Sequence, residues 1–238
     1  STSGGCNATL SNNNNGAPGS CGGIKTVIFT VTSTCEGPVS CSATFGVTAA
    51  PAVVLTCPTN TTVAACQTQA AVNSEYGAWL STASASGGCN QSFTNNSTGA
   101  PSICGGSTTV LFTYTSSCAP TLSTCTASFT VTAPQAVVLT CPSNTTVAAC
   151  QTQAAVNGEF AAWLQAASSS GGCNGLRTNN NTGAPSICGG STTVVFTYTS
   201  SCPPTTTTCS ASFTVTAPAT VVLTCPSNTT VAACQTQS

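Results

Sequence analysis

A long internal repeat constrains the fold of this chain more than any other feature of its sequence. Residues 51–134 align with residues 135–218 without a gap, and 67 of the 84 positions are identical. A strongly marked segment, Thr-Cys-Pro-Ser/Thr-Asn-Thr-Thr-Val-Ala-Ala-Cys-Gln-Thr-Gln, occurs three times, around Cys57, Cys141 and Cys225. A period of this length is typical of a protein that builds an array by copying one folded unit.

The repeat divides the chain into four parts. Residues 51–134 and 135–218 are the first and second complete repeats, residues 1–50 match the later part of a repeat, and residues 219–238 match its beginning. Because the sequence starts and stops within a repeat, we expect it to belong to a longer array. Residues 132–135 lead from one repeat into the next with almost no linker, which favours a stiff rod over a flexible tether.

Alternation of apolar and polar residues predicts β-strands within each repeat. Residues 107–115 and 125–132 both show a period of two, with Phe112 and Phe129 on the inward face. We expect these two strands to form a hairpin. The other predicted segments are two short strands, at residues 52–56 and 61–65, and a loop at residues 94–106.

One segment of each repeat has the apolar spacing of a helix instead. Apolar residues at i, i+3, i+4 and i+7 predict helices over residues 73–84 and 157–168, capped by Asn73 and Asn157. We expect their aromatic residues in the core rather than on a ligand-binding surface. The predicted fold class is therefore mainly β: tandem immunoglobulin-like β-sandwich repeats of 84 residues, each with one short helical insert and about three disulfides. The helical face of the second complete repeat consists of Phe160, Trp163, Leu164 and Ala167.

The near absence of charged residues argues against most catalytic and ion-binding functions. The chain has two basic and three acidic residues, and neither Asp nor His. General acid–base catalysis, nucleophile activation, calcium binding and phosphate recognition all need charged or titratable groups that this composition does not supply. No apolar run approaches the roughly 20 residues of a membrane-spanning helix. We therefore expect no enzyme activity, cofactor, metal, nucleic-acid binding or membrane insertion. The charged residues are Lys25, Arg177, Glu36, Glu75 and Glu159.

The cysteine content predicts an oxidising compartment outside the cell. There is no His and no Cys-x-x-Cys pair, which disfavours a zinc site, and the count of 18 is even, as full pairing requires. No secretory signal peptide is evident, so export signals would lie elsewhere in a longer protein. We expect all cysteines to form disulfides: Cys6, Cys21, Cys35, Cys41, Cys57, Cys66, Cys89, Cys104, Cys118, Cys125, Cys141, Cys150, Cys173, Cys188, Cys202, Cys209, Cys225 and Cys234.

The pairing of these cysteines is open, because six per repeat allow 15 arrangements. We expect neighbours in sequence to pair, above all Cys118 with Cys125, which would end and begin the strands of the predicted hairpin. The main competitor joins Cys57 to Cys125, and bridges between successive repeats would contradict both schemes. The full local scheme is Cys57–Cys66, Cys89–Cys104 and Cys118–Cys125 with their equivalents 84 residues on, together with Cys6–Cys21, Cys35–Cys41 and Cys225–Cys234.

Three Asn-x-Thr sequons occupy equivalent turn positions and are candidate glycosylation sites. They are Asn60, Asn144 and Asn228.

The repeat resembles the hyalin-repeat (HYR) family of immunoglobulin-like modules. The resemblance is carried by residues 53–58, which end in Thr-Cys-Pro, and by residues 106–114 and 125–131. The family's Asp and Gly-Asn positions between the last two strands are absent here. The helical insert and the Gly-Ala-Pro-Ser-Ile-Cys-Gly-Gly segment are similar to repeats of very large surface adhesins of Bacteroidota, including gliding adhesins. This resemblance implies export by the type IX system and a long filament at the cell surface.

Two functions remain open on the sequence. The first is a structural repeat region of an extracellular fibre or stalk-like adhesin at a bacterial cell surface, with neighbouring repeats as its partners and surface polysaccharide or other copies of the chain as further candidates. The second is a carbohydrate- or ice-binding module that uses the Thr- and Ser-rich strand faces, although Thr is simply a good residue for exposed strands.

Overall fold

The computed structural model describes residues 1–234, and the chain divides into two compact units at residues 134 and 135. The first unit begins with three antiparallel strands, which we call the N-terminal sheet: β1 (Thr9–Asn12), β2 (Gly23–Thr32) and β3 (Val39–Val47). Their order in the sheet is β1-β2-β3, so β3 lies at one edge. The alternating residues predicted for these strands do form a sheet, but most of its side chains are exposed.

The first complete repeat folds into one four-stranded sheet, one two-stranded sheet and one helix. The larger sheet has the order β5-β9-β8-β7, in which β5 is parallel to β9 and the other pairs are antiparallel. The smaller sheet pairs β4 with β6. The elements are β4 (Val54–Thr56), β5 (Thr61–Val63), α1 (Gln69–Leu80), β6 (Ser84–Ser86), β7 (Ser92–Asn95), β8 (Gly106–Thr115) and β9 (Leu122–Val131).

The core of this repeat lies between α1 and the four-stranded sheet. The Trp79 ring packs at 6.3 Å from Phe112 and 5.6 Å from Phe129, and the Tyr76 ring packs edge-on at 5.4 Å from Phe129. Val72 completes the buried helix face. The prediction that the helix aromatics belong to the core is confirmed.

The helix begins four residues earlier than the sequence analysis predicts. Thr68 is the N-cap, and its hydroxyl accepts a hydrogen bond from the Ala71 backbone N–H. Asn73 therefore lies inside α1, where its side chain accepts a hydrogen bond from Gln69. Thr is a preferred capping residue, and Gln and Ala extend a helix readily, so the first turn forms before the predicted cap.

The second unit contains the second complete repeat, with the same topology. Its four-stranded sheet has the order β11-β15-β14-β13, and β10 pairs with β12. Val156, Phe160 and Trp163 of its helix pack against the sheet residues Phe196 and Phe213. The elements are β10 (Val138–Thr140), β11 (Thr145–Val147), α2 (Gln153–Gln165), β12 (Ser168–Ser170), β13 (Leu176–Asn179), β14 (Gly190–Thr199) and β15 (Thr206–Val215).

The mainly β fold class with one helix in each repeat is confirmed, and two details differ from expectation. The strands around residue 58 do not pair with each other, because β4 belongs to the small sheet and β5 to the large one. Part of the predicted loop at residues 94–106 is strand, since β7 runs to Asn95 and pairs with β8. The second sheet is only two strands wide, and α1 supplies the rest of the layer that covers β8 and β9.

Candidate functional site: the disulfide bridges

One bridge closes the core of each complete repeat. Cys125 lies on β9 on the same side as Ala127 and Phe129, so its side chain points toward the core, where Cys57 follows the end of β4. The two Cα atoms are 6.1 Å apart, within the usual range for a disulfide. The equivalent bridge, Cys141–Cys209, has a Cα separation of 6.0 Å. The Cys57–Cys125 pair of the competing scheme is thus confirmed, but the bridge between successive repeats described next contradicts both schemes as complete accounts of the pairing.

A second bridge joins two successive repeats within the first unit. Cys21 lies two residues ahead of β2 of the N-terminal sheet, and Cys118 lies in the turn between β8 and β9 of the first complete repeat. Their Cα atoms are 5.3 Å apart, although 97 residues separate them in sequence. The start of one repeat's long strand is therefore fixed to the hairpin end of the next.

The surroundings of Cys118 hold its turn in one conformation. Cys118 is 2% exposed, and its backbone N–H donates to the hydroxyl of the buried Ser116. The same hydroxyl accepts from the Cys89 N–H, and the Ser117 N–H donates to the Cys89 carbonyl. A side chain on Gly88 would collide with Ser116, and its positive φ favours glycine. The sequence Ser-Gly-Gly-Cys thus forms a support for the bridging turn.

The predicted hairpin bridge Cys118–Cys125 is wrong because of the strand register. The β8–β9 turn closes between Thr115 and Leu122, and Cys125 pairs across the sheet with Phe112. Cys125 therefore lies three residues inside β9, roughly 10 Å along the strand from the turn that holds Cys118. The missed signal is the alternation itself, since Cys125 shares the inward face with Ala127 and Phe129.

The other local pairs fail for equally simple reasons. Cys89 contacts the end of β8, whereas Cys104 precedes its start, and a strand of ten residues places them roughly 30 Å apart. Cys57 cannot pair with Cys66 because it is joined to Cys125. The remaining local pairs that the structure contradicts are Cys6–Cys21, Cys141–Cys150, Cys173–Cys188 and Cys202–Cys209. Cys35–Cys41 and Cys225–Cys234 would each join two thiols, and these two pairs stay predictions.

Ten of the cysteines are disulfide-bonded, and they include Cys66, Cys104, Cys173 and Cys202 as well as the three pairs above. Eight cysteines are thiols in this structure, and their bridging stays a prediction. They are Cys6, Cys35, Cys41, Cys89, Cys150, Cys188, Cys225 and Cys234.

The candidate glycosylation sites lie in turns that the side-chain amides help to fix. The Asn60 carboxamide oxygen accepts from the Ser128 backbone N–H at 2.9 Å, and Asn144 makes the same contact with Ser212. Asn228 is exposed and has no strand beside it. Modification at these three residues stays a prediction.

The Thr- and Ser-rich strand faces use their hydroxyls within the sheet. Thr109 and Ser128 lie opposite each other, with their hydroxyls 2.8 Å apart, and Ser107 and Thr130 are 2.9 Å apart. Such cross-strand pairs stabilise a sheet by themselves, so the hydroxyl rows need no ligand to explain them.

Charge plays little part in the described residues. Arg177 of β13 donates to the Ala167 carbonyl. Residues 1–234 contain no cluster of three or more potential metal ligands and no helix long and apolar enough to cross a membrane.

Comparison with known proteins assigns no family. No protein-family model matches the chain, and no curated protein matches it. Among solved structures, a segment of three immunoglobulin domains of titin is 10% identical over 90% of each chain, with a TM-score of 0.30. Extracellular cadherin domains 3–6 of protocadherin gamma B2 are 10% identical over 84% of this chain and 59% of that chain, with a TM-score of 0.30. Likeness at this level carries no argument about what this chain does.

Proposed function

We propose that this chain is a structural repeat region of an extracellular fibre or stalk-like adhesin, which gives the fibre length and stiffness and has no catalytic role. The observation that supports it most directly is the Cys21–Cys118 bridge. The bridge ties the start of one repeat's long strand to the turn of the next repeat, so these two repeats are connected by a covalent bond as well as by the polypeptide. The unit of the fibre is the 84-residue repeat, with boundaries at residues 50 and 51, 134 and 135, and 218 and 219.

The bridges suit a chain that carries tension. In the first complete repeat, Cys118 and the disulfide-bonded Cys104 lie at opposite ends of β8, which is already extended. A pull that enters at Cys118 and leaves at Cys104 passes along this strand. Most of the repeat lies outside that path, so tension need not unfold it.

The extracellular location and the bacterial origin of the proposed fibre rest on separate arguments. Disulfides in such number form and persist in oxidising surroundings outside the cytosol. The resemblance to HYR modules and to Bacteroidota surface adhesins supports a bacterial cell surface, type IX export and a role in gliding motility. The cross-strand hydroxyl pairs offer no support for a carbohydrate- or ice-binding alternative.

Single-molecule stretching of the chain by its two ends tests the mechanical role. In the oxidised protein the 97-residue stretch between Cys21 and Cys118 cannot extend. Reduction should release up to about 35 nm of contour length from this stretch. Cys21→Ser should lengthen the oxidised chain partly, because the Cys57–Cys125 bridge still closes 68 residues.

Cys6→Ser is the matched control, since Cys6 is an exposed thiol that lies just ahead of β1. The mechanical role is wrong if oxidised and reduced chains reach the same contour length, or if Cys21→Ser extends no further than Cys6→Ser.

A further inference from the structure

A loop that carries a bridging cysteine lies against the first turn of α1. We call residues 99–105 the cysteine loop; it leads from β7 into β8, and its Cys104 is disulfide-bonded. Ala100 and Ile103 of this loop pack against the core of the first complete repeat, and Pro101 is buried. Cys104 is therefore presented by a segment that is packed onto the folded repeat.

One side chain of α1 binds this loop through hydrogen bonds. Gln69 is the first residue of the helix, and its carboxamide nitrogen donates to the Pro101 carbonyl at 3.0 Å. Its carboxamide oxygen accepts from the Ile103 backbone N–H at 3.3 Å. The same nitrogen donates to the Asn73 side chain one turn further along the helix, at 3.0 Å, which orients the carboxamide. Gln69 thus contacts two of the three residues that directly precede Cys104.

The loop also fixes the backbone at the cysteine itself. The Ser102 hydroxyl accepts from the Cys104 N–H at 3.1 Å, and the Ser102 carbonyl accepts from the Gly105 N–H at 3.1 Å. Gly105 has a φ of 104°, and a side chain there would lie 2.9 Å from the Cα atom of Ala133, just beyond β9. These contacts set the backbone conformation at Cys104.

The second complete repeat has the same loop around a cysteine that is a thiol in this structure. Gln153 donates to the Pro185 carbonyl at 3.1 Å and accepts from the Ile187 N–H at 3.3 Å. Cys188 is the thiol, and Gly189 after it has a φ of 103°, against 104° for the matching glycine of the first complete repeat. Because the loop geometry is the same with and without a disulfide, hydrogen bonds and packing set it, and the disulfide does not.

We propose that α1 is the scaffold of the Cys104 bridge and that Gln69 is its positioning residue. The proposal rests on the proposed role of the bridges in the fibre and adds how one of them is prepared. Gln69 holds the loop in its bridged conformation before the bond forms, so bridging orders little additional chain. Such a preformed site raises the effective concentration of the two thiols and makes the disulfide harder to reduce. The helix thus serves the bridge as well as the core.

Equilibration of the intact chain with glutathione tests this positioning. Two glutathione thiols reduce the bridge, become one glutathione disulfide, and leave Cys104 and its partner as thiols. The reaction is quenched with acid, the thiols are alkylated, and mass spectrometry measures the fraction of Cys104 that is reduced. Gln69→Ala removes the contacts with the loop, and Ala extends a helix readily. This variant should lower the ratio [GSH]²/[GSSG] at half reduction of Cys104 about fivefold, since two hydrogen bonds of an exposed side chain are lost.

Two controls separate positioning from a general loss of stability. The Cys57–Cys125 bridge of the same repeat should keep its midpoint, because a positioning role acts on Cys104 alone whereas partial unfolding would expose both bridges. Gln67→Ala is the matched variant. It removes the same type of side chain two residues earlier, where the carboxamide donates to the Ala64 carbonyl instead, and it should leave the Cys104 midpoint unchanged.

Hydrogen exchange in the second complete repeat tests whether the loop is formed ahead of the bond. Peptides that cover residues 186–189 should exchange about tenfold more slowly than an unstructured peptide of the same sequence. Gln153→Ala should speed this exchange about fivefold, because it removes the equivalent contacts, and should leave the unfolding midpoint of Trp163 fluorescence unchanged.

Three results would overturn the proposal: unprotected loop amides in the wild-type chain, equal Cys104 midpoints in Gln69→Ala and Gln67→Ala, or a parallel shift of the Cys57–Cys125 midpoint. None of them bears on the contour length released at the Cys21–Cys118 bridge. The positioning role of Gln69 and the mechanical role of the chain can therefore fail separately.

Discussion

The N-terminal sheet and the first complete repeat contain nearly the same strands in two different environments. Phe129 on β9 is 1% exposed, whereas its equivalent on β3, Phe45, is 59% exposed. The hairpin forms in both places with the same register, since Phe29 pairs with Cys41 as Phe112 pairs with Cys125. The difference is that α1, β4 and β5 cover one sheet and not the other.

This contrast shows that the strand pattern alone forms the hairpin but does not form a buried core. Alternation and turn residues are enough to specify a hairpin and its pairing. Burial needs the helix, because Tyr76 and Trp79 provide the rings that meet Phe112 and Phe129. A Phe on such a strand should stabilise the fold only where the helix covers it.

The largest expected effect on stability comes from removing the ring of Phe129. Phe129→Ala should lower the free energy of unfolding of the first complete repeat by about 3–5 kcal/mol, because it empties a buried aromatic site. Phe45→Ala removes the same side chain from the exposed sheet and should change stability by less than about 0.5 kcal/mol.

Tryptophan fluorescence during denaturant unfolding can follow this repeat alone. The chain has two Trp residues, one in each helix, so Trp79 is the sole reporter in a Trp163→Phe background. The protein should be dilute, so that contacts between copies do not contribute. Equal losses from Phe129→Ala and Phe45→Ala would contradict the assignment of the core to the helix-covered sheet.

The second largest effect on stability is expected from removing the Cys57–Cys125 bridge across the core. The double variant Cys57→Ala/Cys125→Ala opens a loop of 68 residues and should lower the free energy of unfolding by about 2–4 kcal/mol. Cys41→Ala, at the position equivalent to Cys125, removes an exposed thiol and should have almost no effect. The same Trp79 signal measures both. If the double variant unfolds at the wild-type denaturant midpoint, the bridge does not stabilise this repeat.

The sequence alone predicted the strands of the hairpin, the mainly β class and the core position of the aromatics, because period-two and helical spacing report directly on burial. It misplaced the helix start, since Thr68 and Asn73 are both acceptable caps and only the hydrogen bond to Ala71 distinguishes them. Local propensity cannot show that β4 and β5 separate into different sheets, because that depends on long-range pairing.

The disulfide pattern was the hardest part to predict, and distance explains why. Pairing by sequence neighbourhood assumes that neighbours in sequence stay close, but a strand of ten residues moves Cys89 and Cys104 to opposite ends of the sheet. The alternation in the sequence already predicted that Cys125 points inward, and an inward position favours a bridge to Cys57. The Cys21–Cys118 bridge depends on how one repeat follows another, for which a single repeat's sequence has no signal.

The smallest expected effect concerns a hydrogen bond of the helix. It tests whether such bonds, as well as ring packing, stabilise the contact between the helix and the sheet that it covers. The Tyr76 hydroxyl is 2.7 Å from the Ser97 hydroxyl, and the second complete repeat has Phe160 and Asn181 at these positions. Tyr76→Phe keeps the ring and leaves Ser97 half-exposed, where water can replace the lost partner. It should therefore cost about 0.5–1 kcal/mol, near the low end for a hydrogen bond.

The reverse change, Phe160→Tyr, provides the matched measurement in the other repeat. A cleft of about 300 Å³ beside Phe160 and Asn181 leaves room for the added hydroxyl. This variant should be neutral or slightly more stable when it is followed by Trp163 fluorescence in a Trp79→Phe background. If Tyr76→Phe instead costs as much as Phe129→Ala, the hydroxyl pair rather than ring packing holds α1 on its sheet. The contrast between Phe129 and Phe45 would then have to be explained by hydrogen bonding.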